Sequence, residues 1–323
     1  MKAAAYARTG GPEVLEYVDV PAPAVRPGGL VIAVEAVGIQ GGDLLHRAAG
    51  VMASNPHVVG YQAAGRVHEV GADVDGFEVG QPVVATMAYG SHAELASVPA
   101  GAVYAIPDEL SIEDAAGVPI EFGTADDCLF EFGHLRAGET VLVQAGAGGV
   151  GIAAVQLAAR AGASMVLATA SSDARLAPLH DLGMDHGINY ATEDVARRLR
   201  ELTEGRGVDL VVDPVGGRTL ETSIAALAYR GRLSWVGRAG REPSPPEVWP
   251  LMEKNASLTG VFLGAEMGHD PSRVRAMIER LLQRVADGEL RVVIDRVFPL
   301  AEAAEAHRYI ESRQAFGRVL LRP

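Results

Sequence analysis

Hydrophobic positions change their spacing along the chain, and the change separates it into regions. Up to about residue 122, short runs alternate between apolar and polar positions and are broken by Gly and Pro. The clearest runs are Leu30 to Val37 and Ala64 to Val70. A period of two is typical of half-buried strands. We therefore expect residues 1–122 to form a twisted, partly closed all-β domain.

Between residues 123 and 260 the pattern changes to strands in alternation with helices. Five apolar runs have the length of buried strands: Val141 to Gln144, Met165 to Thr169, Gly187 to Tyr190, Val208 to Asp213 and Arg232 to Gly237. Strands joined by helical crossovers form a parallel, doubly wound sheet, and its ligands bind at the carboxyl ends of the strands. The pattern predicts an α/β domain over 123–260.

The pattern changes again over residues 261–323. An amphipathic helix is predicted at Ser272 to Ala286, a strand at Val292 to Phe298, a helix at Ala301 to Glu311 and a last strand at Arg318 to Leu321. We expect this tail to return and complete the first domain.

A glycine-rich turn joins the first strand of the α/β domain to its first helix. The turn reads Gly146-Ala147-Gly148-Gly149-Val150-Gly151 and matches G-x-G-x-x-G at a strand-to-helix junction. In that motif the first glycine allows the tight turn, the second lets a pyrophosphate approach, and the third brings the helix close to the sheet. The helix N-terminus favours the anion. The turn predicts a dinucleotide site formed by Gly146, Gly148, Gly149, Val150 and Gly151.

Composition and charge limit the other functions that the chain could have. Of 323 residues, 48% are hydrophobic and 21% are charged, and no apolar run approaches the ~20 residues that span a bilayer. The formal net charge of −13 argues against nucleic acid or an anionic membrane as the main partner. The N-terminus lacks the apolar centre of a signal peptide, so we expect a cytoplasmic protein. The single cysteine, Cys128, excludes an internal disulfide.

The residues after the second α/β strand bear on the choice of nicotinamide cofactor. Sites that prefer NAD place a carboxylate at this strand end, about 20 residues beyond the glycines. Here the strand ends in Ala170-Ser171-Ser172, so nothing there repels a 2′-phosphate, and Ser171 can donate a hydrogen bond. Two alternatives stay open: these serines could cap the next helix, and Asp173 could point at a ribose.

Several segments resemble one protein family along essentially the whole chain. They are Gly11-Pro12-Glu13-Val14-Leu15, the glycine turn, Ala168 to Ser172, Asp213-Pro214-Val215-Gly216-Gly217, Val293 to Phe298 and Gly317-Arg318-Val319-Leu320. Together they resemble the medium-chain dehydrogenase/reductase superfamily, and within it the zinc-independent quinone oxidoreductase branch that includes zeta-crystallin. The resemblance implies a split, GroES-like catalytic domain around an inserted Rossmann domain. It further implies an active site in the cleft between them and a homodimer.

The resemblance also allows the positions of the zinc ligands to be compared. Zinc-dependent relatives hold the ion with Cys and His-Glu ligands, but the matching positions here read Gly38-Ile39-Gln40-Gly41-Gly42-Asp43, Gly60-Tyr61-Gln62 and about Ile120. The nine histidines show no ligand spacing. The sequence therefore predicts no metal. It also predicts a substrate that accepts hydride without metal polarisation, such as a quinone or an α,β-unsaturated carbonyl.

By the same resemblance, Arg175 and Tyr190 match residues that contact the 2′-phosphate, which favours NADPH as cofactor. Other cofactor-binding positions implied by the family motifs are Thr124 near the nicotinamide carboxamide, Val215, Gly237 at the end of its strand, Phe262 and Leu263 beside the ring, and Arg318.

Three positions are candidates for contact with the substrate. Gln40 stands where many quinone oxidoreductases have Asn, and Asp43 is retained. Tyr61 occupies the former histidine position and could donate a proton or hydrogen bond to the substrate oxygen.

The sequence predicts an NADPH-dependent quinone or enone reductase. Two competing hypotheses remain: an enoyl or tailoring reductase acting on a polyketide-like intermediate, and a non-enzymatic, cofactor-binding protein like some crystallins.

Overall fold

The computed structural model describes residues 1–242 and 245–323, which form two compact units. One unit comprises Met1–Ile120 and Asp270–Pro323, and the other comprises Glu121–His269. The second unit was expected at 123–260, so it begins slightly earlier and ends one short helix later.

The strands that the structure describes follow one another along the chain in this order: β1 (Lys2–Tyr6), β2 (Glu16–Asp19), β3 (Gly29–Gly38), β4 (His57–Val58), β5 (Gln62–Val70), β6 (Pro82–Thr86), β7 (Leu95–Pro99), β8 (Val103–Ala105), β9 (Thr140–Val143), β10 (Met165–Ala170), β11 (His186–Asn189), β12 (Val208–Asp213), β13 (Leu227–Trp235), β14 (Ser257–Gly260), β15 (Ile294–Pro299) and β16 (Arg318–Arg322).

The α-helices alternate with the strands mainly in the second unit. They are α1 (Gly41–Ala49), α2 (Ile112–Ala115), α3 (Pro119–Asp126), α4 (Gly149–Arg160), α5 (Asp173–Leu176), α6 (Val195–Leu202), α7 (Gly217–Ala226), α8 (Trp249–Glu253), α9 (Leu263–His269), α10 (Pro271–Ala286) and α11 (Ala303–Glu311). A π-helical turn, Asp127–Glu131, continues α3.

The second unit is built on one parallel sheet with the strand order β11-β10-β9-β12-β13-β14. The order reverses between β9 and β12, where a ligand crevice forms at the carboxyl ends of the strands. Side chains on both faces of β9 and β12 are buried, which explains their continuous apolar runs. The predicted doubly wound sheet is confirmed. Its fifth strand, β13, ends at Trp235 instead of Gly237.

The first unit contains a seven-stranded sheet in which β3 pairs antiparallel with β5, β7 and β16. Because β16 pairs with β3 and β15 pairs with β16, the tail does return to the first sheet, as expected. Strands β2, β1 and β4 form a separate small sheet.

The β domain expected for residues 1–122 is confirmed, but it also contains α2, the start of α3 and, between its strands, the longer helix α1. This helix buries Asp43, Leu44 and Arg47, which share one face at helical spacing. Its N-cap is Gln40, which forms a capping box with Asp43. The helix therefore begins where the strand pattern of β3 ends.

Among the residues that the structure describes, no helix is both long and apolar enough to cross a membrane.

Candidate functional site

The glycine turn of the second unit lies at the carboxyl end of β9, one of the two strands between which the strand order reverses. The residue with a left-handed backbone in this turn is Ala145, with φ of +51°. A Cβ on Gly146 would lie 2.7 Å from the Cβ of Ala168 on β10. The lack of a side chain at Gly146 therefore lets the turn lie against the neighbouring strand.

The other two motif glycines have different surroundings. A Cβ on Gly151 would overlap the carbonyl oxygen of Ala145, so this glycine brings α4 close to the turn. A Cβ on Gly148 would lie 3.4 Å from that oxygen, which is ordinary contact, and nothing else stands within 4 Å of it. Space is thus left above Gly148, where a phosphate would approach. The open space above Gly148, beside the N-terminus of α4, fits a pyrophosphate.

The first turn of α4 supplies donors for such an anion. Gly148 is the N-cap with an extended backbone, and Gly149, Val150 and Gly151 are the first three helical residues. Amides in a helix's first turn have no intrahelical acceptor, and they point toward the positive end of the helix dipole. They would hold a phosphate without any basic side chain.

At the carboxyl end of β10, Arg175 and Ser171 form a pair. The Arg175 guanidinium donates a hydrogen bond to the Ser171 hydroxyl at 3.2 Å, and both side chains are half-buried. A guanidinium held beside a hydroxyl at this strand end suits a phosphate better than a ribose diol.

Asp173, which could have pointed at a ribose, is engaged elsewhere. Its carboxylate accepts a hydrogen bond from the Asn189 side-chain amide at 3.1 Å. Ser172 is the N-cap of α5, but its side chain makes no capping hydrogen bond. The capping role thus lacks a side-chain hydrogen bond from Ser172, and a contact of Asp173 with a ribose stays a prediction. Tyr190 directly follows β11 and is 44% exposed, so its ring is available to a ligand.

A second turn, Asp213–Gly216, follows β12. Gly216 has φ of +73° and ψ of −167°, a region that only glycine adopts readily. Val215 in this turn is half-buried. Gly237 lies beyond the end of β13, and its carbonyl accepts a hydrogen bond from the Trp235 indole at 2.6 Å.

The remaining predicted residues of this unit differ in exposure. Phe262 is 73% exposed, whereas Leu263, which begins α9, and Thr124 on α3 are buried.

In the first unit, the N-terminus of α1 collects the candidate substrate residues. The Gln40 amide nitrogen of the main chain donates to the Asp43 carboxylate at 2.8 Å. The Gln40 side chain takes part in the same cap and donates to the Gly38 carbonyl at 3.3 Å. Both side chains are buried. They therefore define the start of the helix, and their contact with a substrate stays a prediction.

Tyr61 lies against the same helix turn. A Cβ on Gly42 would overlap the Tyr61 hydroxyl, so the glycine allows this hydroxyl to lie over the first turn of α1. The ring is half-buried. The structure thus brings Gln40, Asp43 and Tyr61 together.

Gln62 and Ile120, at positions that match metal ligands of zinc-dependent relatives, are joined by hydrogen bonds. Gln62 accepts from the Ile120 amide at 2.7 Å and donates to the Ala116 carbonyl. Over residues 1–242 and 245–323, no cluster of three or more His, Cys, Asp or Glu side chains is arranged to hold a metal ion.

Arg318 is buried in the first unit at the start of β16. Its guanidinium donates to the Ile39 carbonyl, next to the N-cap of α1. It supports the segment that carries Gln40, and its predicted contact with cofactor stays a prediction.

Sequence reasoning missed three buried polar side chains near the carboxyl ends of the central strands, Gln144, Thr169 and Asp213, and one on α7, Ser223. Polar residues inside otherwise apolar strand ends were a signal in the sequence, but their partners were not visible there.

Two family profiles match the chain. Residues 26–108 match the alcohol dehydrogenase GroES-like domain, and residues 149–283 match the zinc-binding dehydrogenase family.

The chain is also similar to individual proteins along nearly its full length. A quinone oxidoreductase of Pseudomonas aeruginosa is 35% identical over 98% of each chain. A 2-haloacrylate reductase of a Burkholderia species is 33% identical over 99% of this chain and 98% of that protein. The crystal structure of Escherichia coli quinone oxidoreductase complexed with NADPH superposes with a TM-score of 0.94, with 28% identity and full coverage of both chains.

Proposed function

Because the chain belongs to the medium-chain dehydrogenase/reductase superfamily, in its zinc-independent quinone oxidoreductase branch, we propose that it is an NADPH-dependent, metal-free reductase of quinones or α,β-unsaturated carbonyls. The observation that carries this proposal is the Arg175–Ser171 pair at the end of β10. Relatives named as a quinone oxidoreductase and a 2-haloacrylate reductase support it, since both substrates are conjugated.

NADPH would be held by two features of the second unit. The amides of Gly149, Val150 and Gly151 would bind the pyrophosphate, with Gly146 and Gly148 shaping the turn. Arg175, Ser171 and the exposed Tyr190 would bind the 2′-phosphate. Asp173 would not repel that phosphate strongly, because its carboxylate is directed to Asn189.

The nicotinamide end would be held by the second turn and by the segment after β14. We assign contacts there to Val215, Gly237, Phe262 and Leu263, and a carboxamide contact to Thr124. When bound, NADPH supplies the hydride. The residues of the chain fix the ring and shield it from water.

On the substrate side, we assign Tyr61 as the donor to the carbonyl oxygen, where negative charge develops as hydride reaches the conjugated carbon. A hydroxyl aimed at that oxygen stabilises the charge and can deliver the proton that completes reduction. Gln40 and Asp43 hold the helix turn against which the Tyr61 hydroxyl lies, and Arg318 supports that turn.

We also propose a homodimer formed through the open edge of the parallel sheet. Within the described residues, β14 pairs only with β13, so its other side offers free backbone groups. Exposed Tyr229, Trp249 and Met252 belong to β13 and to α8, the helix just before β14. Light scattering of the wild type and of Trp249→Ser/Met252→Ser tests this: the proposal requires a dimer that the double variant weakens.

The cytoplasmic location also stays a prediction.

The experiment that tests the function is NADPH oxidation against quinones, enones and enoyl thioesters, with and without a chelator. We expect turnover of quinones or enones that the chelator leaves unchanged. Turnover of enoyl thioesters alone would favour the tailoring reductase. Tight NADPH binding without oxidation by any acceptor would favour the non-enzymatic alternative, and activity lost on chelation and restored by zinc would contradict the metal-free assignment.

A further inference from the structure

The second unit contains a continuous chain of buried polar side chains that connects its two ligand-facing turns. Gln144 follows β9, Thr169 lies in β10, Asp213 ends β12 and Ser223 lies on α7. Each is at most 2% exposed. Buried polar groups are costly unless they are hydrogen-bonded, so four of them in contact require an explanation.

At one end of the chain, Thr169 holds the glycine turn. Its hydroxyl accepts from the Ala145 amide at 3.2 Å, and its main-chain carbonyl accepts from the Gly146 amide at 2.8 Å. Ala145 is the residue with the left-handed backbone, which non-glycine residues seldom adopt. Thr169 thus fixes the conformation in which the turn presents α4.

At the other end, Asp213 holds the second turn. One carboxylate oxygen accepts from the amides of Val215 and Gly216 at 2.8 and 3.0 Å. The other oxygen accepts from the Ser223 hydroxyl at 2.8 Å. The carboxylate therefore sets the path of the backbone through the glycine-only conformation of Gly216.

The middle of the chain joins the two ends with a single direction of donation. Thr169 donates to the Gln144 side-chain carbonyl at 2.6 Å, and the Gln144 side-chain amide donates to Ser223 at 3.0 Å. Because an ionised carboxylate only accepts, Ser223 must donate to Asp213. Ser223 must then accept from Gln144, and Gln144 must accept from Thr169. While Asp213 is ionised, each of these three hydrogen bonds therefore has only one possible direction of donation.

We propose that Thr169, Gln144, Ser223 and Asp213 form a positioning network that fixes the glycine turn and the Val215–Gly216 turn relative to each other, so that an intact dinucleotide can contact both. The proposal rests on the proposed function, since it assigns these turns to the two ends of one cofactor. None of the four side chains needs to touch the cofactor.

Burial raises the pKa of Asp213, and the amides of Gly216 and Val215 and the Ser223 hydroxyl act in the opposite direction. The network thus supplies donors that oppose the effect of burial on this carboxyl.

The test compares two ligands of different length. Adenosine 2′-monophosphate, which lacks the 5′-phosphate, reaches only the Arg175 end of the proposed site, whereas NADPH spans both turns. Calorimetry measures the dissociation constant of each ligand for the wild type, Thr169→Val, Ser223→Ala and Asp213→Asn. Thr169→Val keeps the shape of the side chain and removes the hydroxyl, and Thr169→Ser is the matched control that restores it.

We expect Thr169→Val and Ser223→Ala to weaken the binding of NADPH by roughly 5- to 30-fold, the range of one to two lost hydrogen bonds, and that of adenosine 2′-monophosphate by less than about 2-fold. Thr169→Ser should bind both like the wild type. Asp213→Asn should show the largest loss of NADPH affinity, because its amide would donate to Ser223 and reverse the direction of the hydrogen bonds. In the Thr169→Val/Ser223→Ala double variant, the fold-loss of NADPH affinity should be smaller than the product of the two single fold-losses, because both substitutions act on one network.

Equal losses for both ligands, or unchanged NADPH affinity in Thr169→Val and Ser223→Ala, would overturn the network. A wild type that binds neither ligand would instead overturn the proposed function, so the two failures are distinct. Should one variant fail to fold, the NADPH affinities of the remaining variants can still support or contradict the network.

Discussion

Arg175 and Ser171 are the side chains to which we assign the choice of cofactor. Their hydrogen bond fixes a guanidinium at the end of β10, at the position where NAD-preferring enzymes place a carboxylate. The neighbouring Asp173 accepts a hydrogen bond from the Asn189 side chain. The proposed preference for NADPH rests on Arg175 and Ser171.

Arg175→Ala should raise the Michaelis constant for NADPH by about 10- to 100-fold and leave that for NADH almost unchanged, because a charge-assisted hydrogen bond to phosphate is lost. Ser171→Ala should have a smaller effect of the same kind. Ser172→Ala is the matched control, since its hydroxyl makes no capping bond. Equal changes with NADPH and NADH would remove the assignment.

Tyr61→Phe should lower kcat by roughly 100-fold or more with enone substrates while NADPH affinity stays the same, because the donor to the developing charge is removed. Steady-state kinetics on each active acceptor measure this. Tyr89→Phe, an exposed tyrosine of the same unit, is the control. If Tyr61→Phe turns over every acceptor at the wild-type rate, protonation comes from solvent.

Individual residues also show what the sequence could not supply. The glycine motif located the turn correctly, yet its left-handed residue is Ala145, and Gly146 is required by the side chain of Ala168. Residue spacing carries no information on the sign of φ or on which strand lies alongside. The hydrogen bonds of Gln144 to Thr169 and Ser223 likewise join residues far apart in the sequence.

At the scale of elements, the junction of β9 and α4 is the part of the fold that a dinucleotide needs. The helix can lie close to the turn because Gly151 has no side chain, and the space above Gly148 is left open by the protein. The two glycines therefore serve packing and ligand approach separately.

Gly151→Ala should lower the free energy of unfolding by about 1–3 kcal/mol, because its Cβ would overlap the Ala145 carbonyl. Gly148→Ala should change stability little, since a Cβ there has ordinary contacts, yet it should weaken NADPH at least about tenfold by occupying the space for phosphate. Denaturant unfolding and calorimetry measure the two effects. A Gly148→Ala variant that binds NADPH as tightly as the wild type would contradict the placement of the pyrophosphate.

Most elements could be predicted because their hydrophobic periods are long and regular, as in β12 and α10. Helix α1 was missed because it is short, begins with two glycines and follows directly on a strand. Its signal was the capping box of Gln40 and Asp43, which spacing of apolar residues does not show.

For the whole molecule, stability against acid depends on a buried histidine pair in the first unit. His92 and His307 contact each other through their Nε2 atoms at 3.1 Å, and the guanidinium of buried Arg47 donates to His307 Nδ1 at 3.0 Å. Arg47 also forms an ion pair with Glu311. Burial lowers the pKa of His92 to about 3, and burial, His92 and Arg47 hold the pKa of His307 well below its usual value.

Because both pKa values are lower in the folded state, the unfolded chain binds protons first as pH falls. Stability is therefore complete above about pH 6.5 and is lost as pH falls toward the folded values, by up to about 1.4 kcal/mol per pH unit for each ring. Urea unfolding between about pH 5 and about pH 7 measures the slope, which His92→Gln or His307→Gln should reduce relative to the exposed-residue control His68→Gln. A slope that neither substitution changes would show that other groups determine it.

Direct hydride transfer from NADPH to a conjugated substrate is the central step of the proposed function. The most direct measurement uses NADPH deuterated on either face of C4, an enone acceptor, and mass spectrometry of the product. We expect deuterium from one face to appear at the β-carbon of the product, and hydrogen from solvent at the α-carbon. A product that carries deuterium from neither face, or that takes its β-hydrogen from water, would contradict the central claim.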